Sequence, residues 1–241
     1  MNFKNSELSK WYNTKAGIIN SKEIISTIDK IFSVDVEKNI LYCGEYSVVK
    51  KIMEKNQSFN SYYVSLSEKG DVKAELNKLP FQESSIDYVI LIHSLDTQYD
   101  PHSAFREIDR ILADDGKMII IGFNRKSLLG IYSLMPFKSI FKNKNYISIS
   151  RLLDWMSLFS YEVKQVFNIN KIPPLKNNKI LKYLQFLNNS IFSKINLFGN
   201  CYVIYSNKKT YKYISVKNWH KKNNIVLGKF SKPIIHNNFD E

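Results

Sequence analysis

The sequence predicts an α/β chain, with a mostly parallel sheet covered by helices on both faces, and three neighbouring stretches carry the prediction. Ile86 to Ile92 is apolar except for Asp87 and rich in Ile and Val; a run this short and β-branched reads as a strand buried on both faces. Asp100-Pro101 is a helix start, with the carboxylate as cap and proline at the first position, where a missing N–H is tolerated. Ala104, Phe105, Ile108, Ile111 and Leu112 then form one apolar stripe. Asp114-Asp115-Gly116 closes that helix, with Gly116 expected in the left-handed conformation, and Met118 to Phe123 is a second buried strand. Strand, crossover helix and strand of this length make a right-handed unit whose two strands are adjacent and parallel.

The remaining elements are arranged around that unit. Ile24, Ile25, Ile28, Ile31 and Phe32 keep helical spacing, and Asn20 with Glu23 has the pattern of a capping box, so a helical leader occupies residues 1–37, with Trp11, Tyr12 and Gly17 ahead of the stripe. Asn39 to Cys43 is the expected first strand, Gly44-Glu45 the turn after it, Ser47 to Lys55 a crossover helix and Tyr62 to Leu66 the second strand. Beyond Asn124 the segment Arg125 to Tyr146 is rich in Lys and aromatic residues. Leu152, Leu153, Met156 and Phe159 give a further helical stripe, and Tyr161 to Phe167 reads as a strand. After the break at Pro173-Pro174 come a helix over Ile180 to Ile195 and a last strand over Cys201 to Tyr205. The organisation expected is one domain over 1–206 and a basic, weakly patterned tail over 207–241.

Composition excludes several classes. The 241 residues suffice for one large α/β domain, and the net charge of +13 favours nucleic acid or anionic lipid as partners, unless it reflects only the abundance of Lys, Asn and Ile. Cys43 and Cys201 are too few and too isolated for a disulfide framework or a zinc site, so no metal is expected and a reducing, cytoplasmic location fits. The start of the chain is polar, unlike a signal peptide, and no apolar run reaches bilayer length. P-loop, CxxC, HExxH and G-x-S-x-G motifs are all missing, which leaves hydrolase and kinase readings without support. What remains is the set His93, Asp96, Tyr99 and His102, at the C-terminal end of the strand 86–92, where open α/β sheets bind ligands. His93 reads either as a general base or acceptor-orienting group, or as a hydrogen-bonded structural residue. His102, at a helix start, is expected to be exposed.

The segments LPF at 79–81, SSIDYVILIHSLD at 84–96 and DPHSAFREIDRILADDGK at 100–117 resemble the later half of a class I S-adenosylmethionine-dependent methyltransferase domain, with Arg106, Glu107, Arg110, Leu112 and Gly116 at matching spacing. The run Gly122-Phe123-Asn124 followed by Ser127, Leu128 and Gly130, together with Trp11, the helix at Arg151 to Trp155 and the closing CYVIYSNKK, resembles a little-characterised bacterial branch of that family with a reduced glycine turn. The resemblance implies a Rossmann-like fold with a seven-stranded, mostly parallel sheet and an antiparallel last strand. It implies S-adenosylmethionine as cofactor and methyl transfer to an unidentified acceptor, small or macromolecular. The leader would then lie over the cofactor site as a partial lid, or else simply pack in the core.

By position, Gly44, Ser65, Ser67, Glu75 and His93 would surround the cofactor, with His93 catalytic. Gly44 would allow close approach to the methionine portion, Ser65 or Ser67 would meet the ribose, and Glu75 would accept from the adenine amino group. The turn CGEYSVV departs from the family pattern, with Tyr46 and Val48 where further glycines are usual, and serine stands where a carboxylate normally clamps both ribose hydroxyls. These departures keep open a second reading, a methyltransferase-like protein that has lost S-adenosylmethionine and serves as a binding or regulatory module. Lys126, Lys138, Lys142 and Lys144, interleaved with Phe137, Phe141 and Tyr146, would form the acceptor face, suited to RNA or an anionic membrane surface.

Overall fold

The computed structural model describes residues 3–32, 37–56, 60–66, 69–127, 146–169 and 199–209. The helix expected over 180–195, most of the Lys-rich segment (128–145) and the tail from 210 lie outside the described residues. The strands are β1 (Ile40–Gly44), β2 (Ser61–Val64), β3 (Ile86–Ile92), β4 (Leu112–Phe123), β5 (Tyr161–Ile169) and β6 (Cys201–Lys208). They form one sheet in the order β2-β1-β3-β4-β6-β5. β3 and β4 are adjacent and parallel, in register from Tyr88 with Lys117 to Ile92 with Ile121, while β6 runs antiparallel to both β4 and β5.

Six strands are thus described where seven were expected. Beyond β2, the described residues carry only a single parallel bridge between Val64 and Val72. The reason is compositional: around that bridge the chain reads Lys69-Gly70-Asp71-Val72-Lys73-Ala74-Glu75, with too little apolar surface to hold an edge strand.

Period-two alternation divides the core. Along β1, Leu41 and Cys43 face one layer and Ile40 and Tyr42 the other. The first layer is covered by α4 (Pro101–Ile111) through Phe105 and Ile108, and by α5 (Ile149–Leu158) through Leu152 and Met156. The second is covered by α2 (Lys15–Ile31) through Ile24 and Ile28, and by α3 (Tyr46–Lys55) through Val49 and Ile52. Helix α1 (Phe3–Tyr12) joins the second layer with Leu8, Trp11 and Tyr12.

Several local expectations are corrected. The leader is two helices, and α2 begins at Lys15 with Thr14 as its cap, whose hydroxyl accepts from Gly17 N; Asn20 is not a cap but a fully buried residue within α2. Helix α4 does start at Asp100, whose carboxylate accepts from the backbone N–H of His102 and Ser103. It ends at Ile111, however, and the left-handed residue is Asp115 (φ 59°) rather than Gly116. Asp tolerates that conformation, whereas Gly116 is needed for space, since a Cβ there would lie 2.7 Å from the Ala113 carbonyl oxygen. His102 is half-buried, edge-on to Trp155. The last strand, β6, runs past the expected Tyr205 to Lys208, whose ammonium donates to the carbonyls of Asp109 (2.7 Å) and Leu112 (3.2 Å).

Glu107 clamps the loop before β3 onto α4. Its carboxylate accepts from Leu79 N (2.8 Å) and from Arg110 at Nε (2.9 Å) and Nη2 (2.8 Å), while Arg110 Nη2 also reaches Leu79 O (3.2 Å). The Arg110 hydrogen bonds hold the Glu107 carboxyl below the usual carboxylate range. A depressed folded-state pKa means stability present above pH about 4.5 and lost as pH falls through the folded value. Glu107→Gln is therefore expected to cost about 1 kcal/mol at pH 7, and the difference from the parent should shrink in urea unfolding at pH 3. An equal difference at both pH values would show that the charge does not matter.

Candidate functional site

The sheet reverses direction between β1 and β3: from β1 the chain builds outward to β2, and from β3 outward to β4. Open α/β sheets carry their ligand crevice at the carboxyl ends of the strands beside such a switch. Here the two strand ends are drawn tightly together. Gly44 closes β1 at φ 120°, and a Cβ on it would lie 1.9 Å from the Ile92 carbonyl oxygen, the atom to which Glu45 N donates at 3.1 Å. The single glycine of this turn is therefore required first by strand-to-strand contact, not by the approach of a ligand.

Glu45 follows as the cap of α3. Its carboxylate, 4% exposed, accepts from Ser47 N (3.3 Å) and Ser47 Oγ (2.9 Å), and Ser9 Oγ of α1 lies 2.9 and 3.1 Å from its two oxygens. Helix α1 is thereby tied across the turn.

Beside this turn lies a cleft with an empty volume of about 500 Å³, solvent mouth included. Gly44, Ser65, Glu75 and His93, which sequence reasoning named separately, all line it; Ser67 lies outside the described residues. Glu75 is exposed, and apolar Leu66, Ala74 and Leu76 stand near it in the lining. Ser94, also in the lining and 2% exposed, carries a buried hydroxyl with no hydrogen-bond partner among the described residues. Tyr99 is not part of this arrangement, being 98% exposed.

His93 closes β3 at the floor. Its backbone is left-handed (φ 54°), which is strained for a residue with a Cβ, and its ring stacks on Phe123 with centroids 3.8 Å apart and planes at 13°. The Nε2 atom lies 2.6 Å from Tyr12 Oη, and Nδ1 lies 3.4 Å from Asp96 Oδ2, which also accepts from Phe123 N at 3.0 Å. Tyr12 Oη in turn accepts from Asn20 Nδ2 at 3.0 Å. Burial above all, with negative neighbours adding, pushes the Tyr12 phenol well above its ordinary value, so it remains protonated.

Tyr12, Asn20 and Glu45 were not assigned to the site from sequence. For Asn20 a signal was available: it stands four residues before Ile24 and eight before Ile28, on the buried stripe of α2, and a polar residue on such a stripe needs a buried partner. Cys43 and Cys201 are free, buried thiols whose pKa is raised chiefly by burial, so neither is a nucleophile in the folded chain. Among the described residues no group of three or more His, Cys, Asp or Glu is placed to hold a metal ion, and no helix is long and apolar enough to cross a membrane.

Residues 27–120 match a family described as a methyltransferase domain. The uncharacterised protein YafS of Escherichia coli strain K12 is 37% identical over 118 residues, 47% of this chain, and the chain spans about half of that relative's length (49%). The uncharacterised protein MJ0638 of Methanocaldococcus jannaschii is 28% identical over 176 residues, covering 67% of this chain and 74% of its own. In fold, the chain is similar to a SAM-dependent methyltransferase from Thermotoga maritima described as a possible histamine N-methyltransferase. That likeness has a TM-score of 0.61 at 19% identity and covers 85% of this chain and 96% of the other.

Proposed function

We propose that this chain is a methyltransferase of the class I type, as the match of residues 27–120 and the fold support, and that it binds S-adenosylmethionine in the cleft beside Gly44 and methylates an acceptor presented at His93. The observation that carries this reading is the convergence of Gly44, Ser65, Glu75 and His93 on one cleft at the switch point of the sheet.

The lining suits that cofactor. Leu66, Ala74 and Leu76 supply apolar surface for a purine, and the exposed Glu75 carboxylate an acceptor for its amino group. Ser65 can serve one ribose hydroxyl. The unpartnered hydroxyl of Ser94 gains a partner from any polar group bound beside it, and the anionic Glu45 turn favours a cation. Bound there, S-adenosylmethionine supplies an electrophilic methyl group on a sulfonium. The protein's own part is to hold the acceptor in line with that methyl, and to receive a proton at His93 where the acceptor must lose one.

Calorimetric titration of the folded chain with S-adenosylmethionine and S-adenosylhomocysteine tests the reading. Saturable binding of both is expected, weakened up to about tenfold by Ser65→Ala through loss of one hydrogen bond. Failure of a folded sample to bind either at millimolar concentration would leave only the binding-module reading.

A further inference from the structure

Asn20, Tyr12, His93 and Asp96 form a polar chain through the second core layer, and its proton direction can be traced. Asn20 Nδ2 donates to Tyr12 Oη (3.0 Å), which leaves the phenol proton for His93 Nε2 at 2.6 Å. The remaining ring proton then sits on Nδ1, facing Asp96 Oδ2 at 3.4 Å. Asp96 is held by the Phe123 N–H at 3.0 Å, and its other oxygen, Oδ1, is buried with no hydrogen-bond partner among the described residues. The result is a base with its lone pair on Nε2, oriented by a carboxylate that is itself short of donors. That arrangement stabilises a positive charge on the imidazole. Residues serving only to pack this layer would do so at lower cost without buried polar atoms.

The group covering the lone pair belongs to α1, and α1 meets the cleft through two polar contacts, Ser9 with Glu45 and Tyr12 with His93. The ring of Tyr12 lies among aromatic neighbours: Trp11 edge-on at 4.8 Å, with Trp11 also 6.1 Å from Phe123, the ring on which His93 stacks. Were Tyr12 to leave, the space opened would be ring-shaped, aromatic-walled and provided with one hydrogen-bond acceptor.

Resting on the methyltransferase reading, we propose that Tyr12 is an internal stand-in for the methyl acceptor. The site takes a hydroxyl compound, a phenol, whose O–H replaces that of Tyr12 on His93 Nε2 when α1 shifts, and Asp96 is the positioning residue that keeps the lone pair there. A neutral amine needs no base before it takes a methyl group, whereas a phenol becomes a strong nucleophile only as it loses its proton. In the transfer the phenol oxygen bonds to the methyl carbon, the carbon–sulfur electron pair stays on sulfur, and the phenol proton passes to His93 Nε2. The sulfonium charge thus becomes an imidazolium charge beside Asp96.

The test uses the full chain, labelled with ¹⁵N at histidine. In the unaltered protein His93 should be the Nδ1–H tautomer, with Nε2 unprotonated; an Nε2–H signal would overturn the proposal, and this measurement needs no variant. In Tyr12→Ala, 4-methylphenol should bind about tenfold tighter than its apolar isostere p-xylene, the worth of one buried hydrogen bond, and should shift the His93 Nε2 signal. With S-adenosylmethionine added, 4-methylanisole should form in Tyr12→Ala and not in Tyr12→Ala with His93→Gln. Equal binding of the two probes, or an unmoved His93 signal, would overturn it. The phenol and tautomer measurements need no cofactor. Their failure beside intact binding of S-adenosylhomocysteine therefore rejects the stand-in role alone, whereas loss of cofactor binding beside intact phenol binding rejects the methyltransferase reading and with it the methyl transfer, leaving only a phenol site on His93.

Discussion

Gly44→Ala is expected to lower the unfolding free energy by about 2–6 kcal/mol and to abolish binding of S-adenosylhomocysteine. Two effects add. An L side chain at φ 120° adopts a backbone conformation that strains it, by about 1–3 kcal/mol. In addition the new methyl group meets the Ile92 carbonyl oxygen at 1.9 Å and its carbon at 2.7 Å, so the ends of β1 and β3 must separate. Separation breaks the Glu45 N to Ile92 O hydrogen bond and displaces the Glu45 cap of α3, and overpacking of this kind costs a further ~1–3 kcal/mol. Because the same strand ends form the cleft wall, stability and ligand binding should fall together. Urea unfolding followed by circular dichroism, with calorimetry at a temperature where the variant is still folded, measures both. A loss under about 1 kcal/mol would mean that the turn relaxes by a route this geometry does not provide.

Asp96→Ala is expected to cost about 3 kcal/mol, the second-largest effect. Asp96 is 1% exposed and receives the Phe123 N–H and the Nδ1 side of His93; alanine leaves both donors buried without that acceptor, at ~1–3 kcal/mol each. The buried Oδ1, unpartnered among the described residues, partly offsets this, because the native carboxylate already pays for incomplete solvation. Asp96→Asn separates the two functions of the residue. Phe123 N and His93 Nδ1 both face Oδ2, so an amide oxygen in that place can still accept from both and the stability loss should be less than half that of alanine, while the negative charge that stabilises an imidazolium at His93 is removed. If Asn proves as destabilising as Ala, the charge rather than the acceptor geometry holds this corner.

The elements best read from sequence are those whose cause is local. β3 is expected over Ile86 to Ile92 and is found there, because a run rich in Ile and Val, broken only by Asp87, needs burial on both faces. Helix α4 starts at Asp100-Pro101 for reasons contained in those two residues. Errors arose where one residue type serves two purposes. Asn20 is a good helix cap by type, and the three-residue spacing to Glu23 imitates a capping box, but its place on the Ile24–Ile28 stripe puts it inside. Gly116 is a good left-handed residue by type, yet crowding from Ala113 O and the Leu112 side chain, not backbone handedness, calls for glycine there, and Asp115 makes the turn. The seven-stranded sheet came from the family resemblance alone, and beyond β2 the described residues show only the Val64–Val72 bridge, within a charged run.

The sequence by itself determined the α/β class, the parallel strand–helix–strand unit and the end of the sheet at which a ligand would sit, since hydrophobic period, proline and caps act within a few residues of themselves. It also named, one at a time, four residues that line the cleft. Only the tertiary structure decided which polar groups meet: Tyr12 reaches His93 across 81 positions, Ser9 reaches Glu45 across 36, and Asn20 reaches Cys201 across 181. No local pattern encodes such pairings. They exist because packing the apolar stripes of α1 and α2 onto the sheet leaves these particular polar atoms away from water, where each must find a partner or remain unsatisfied.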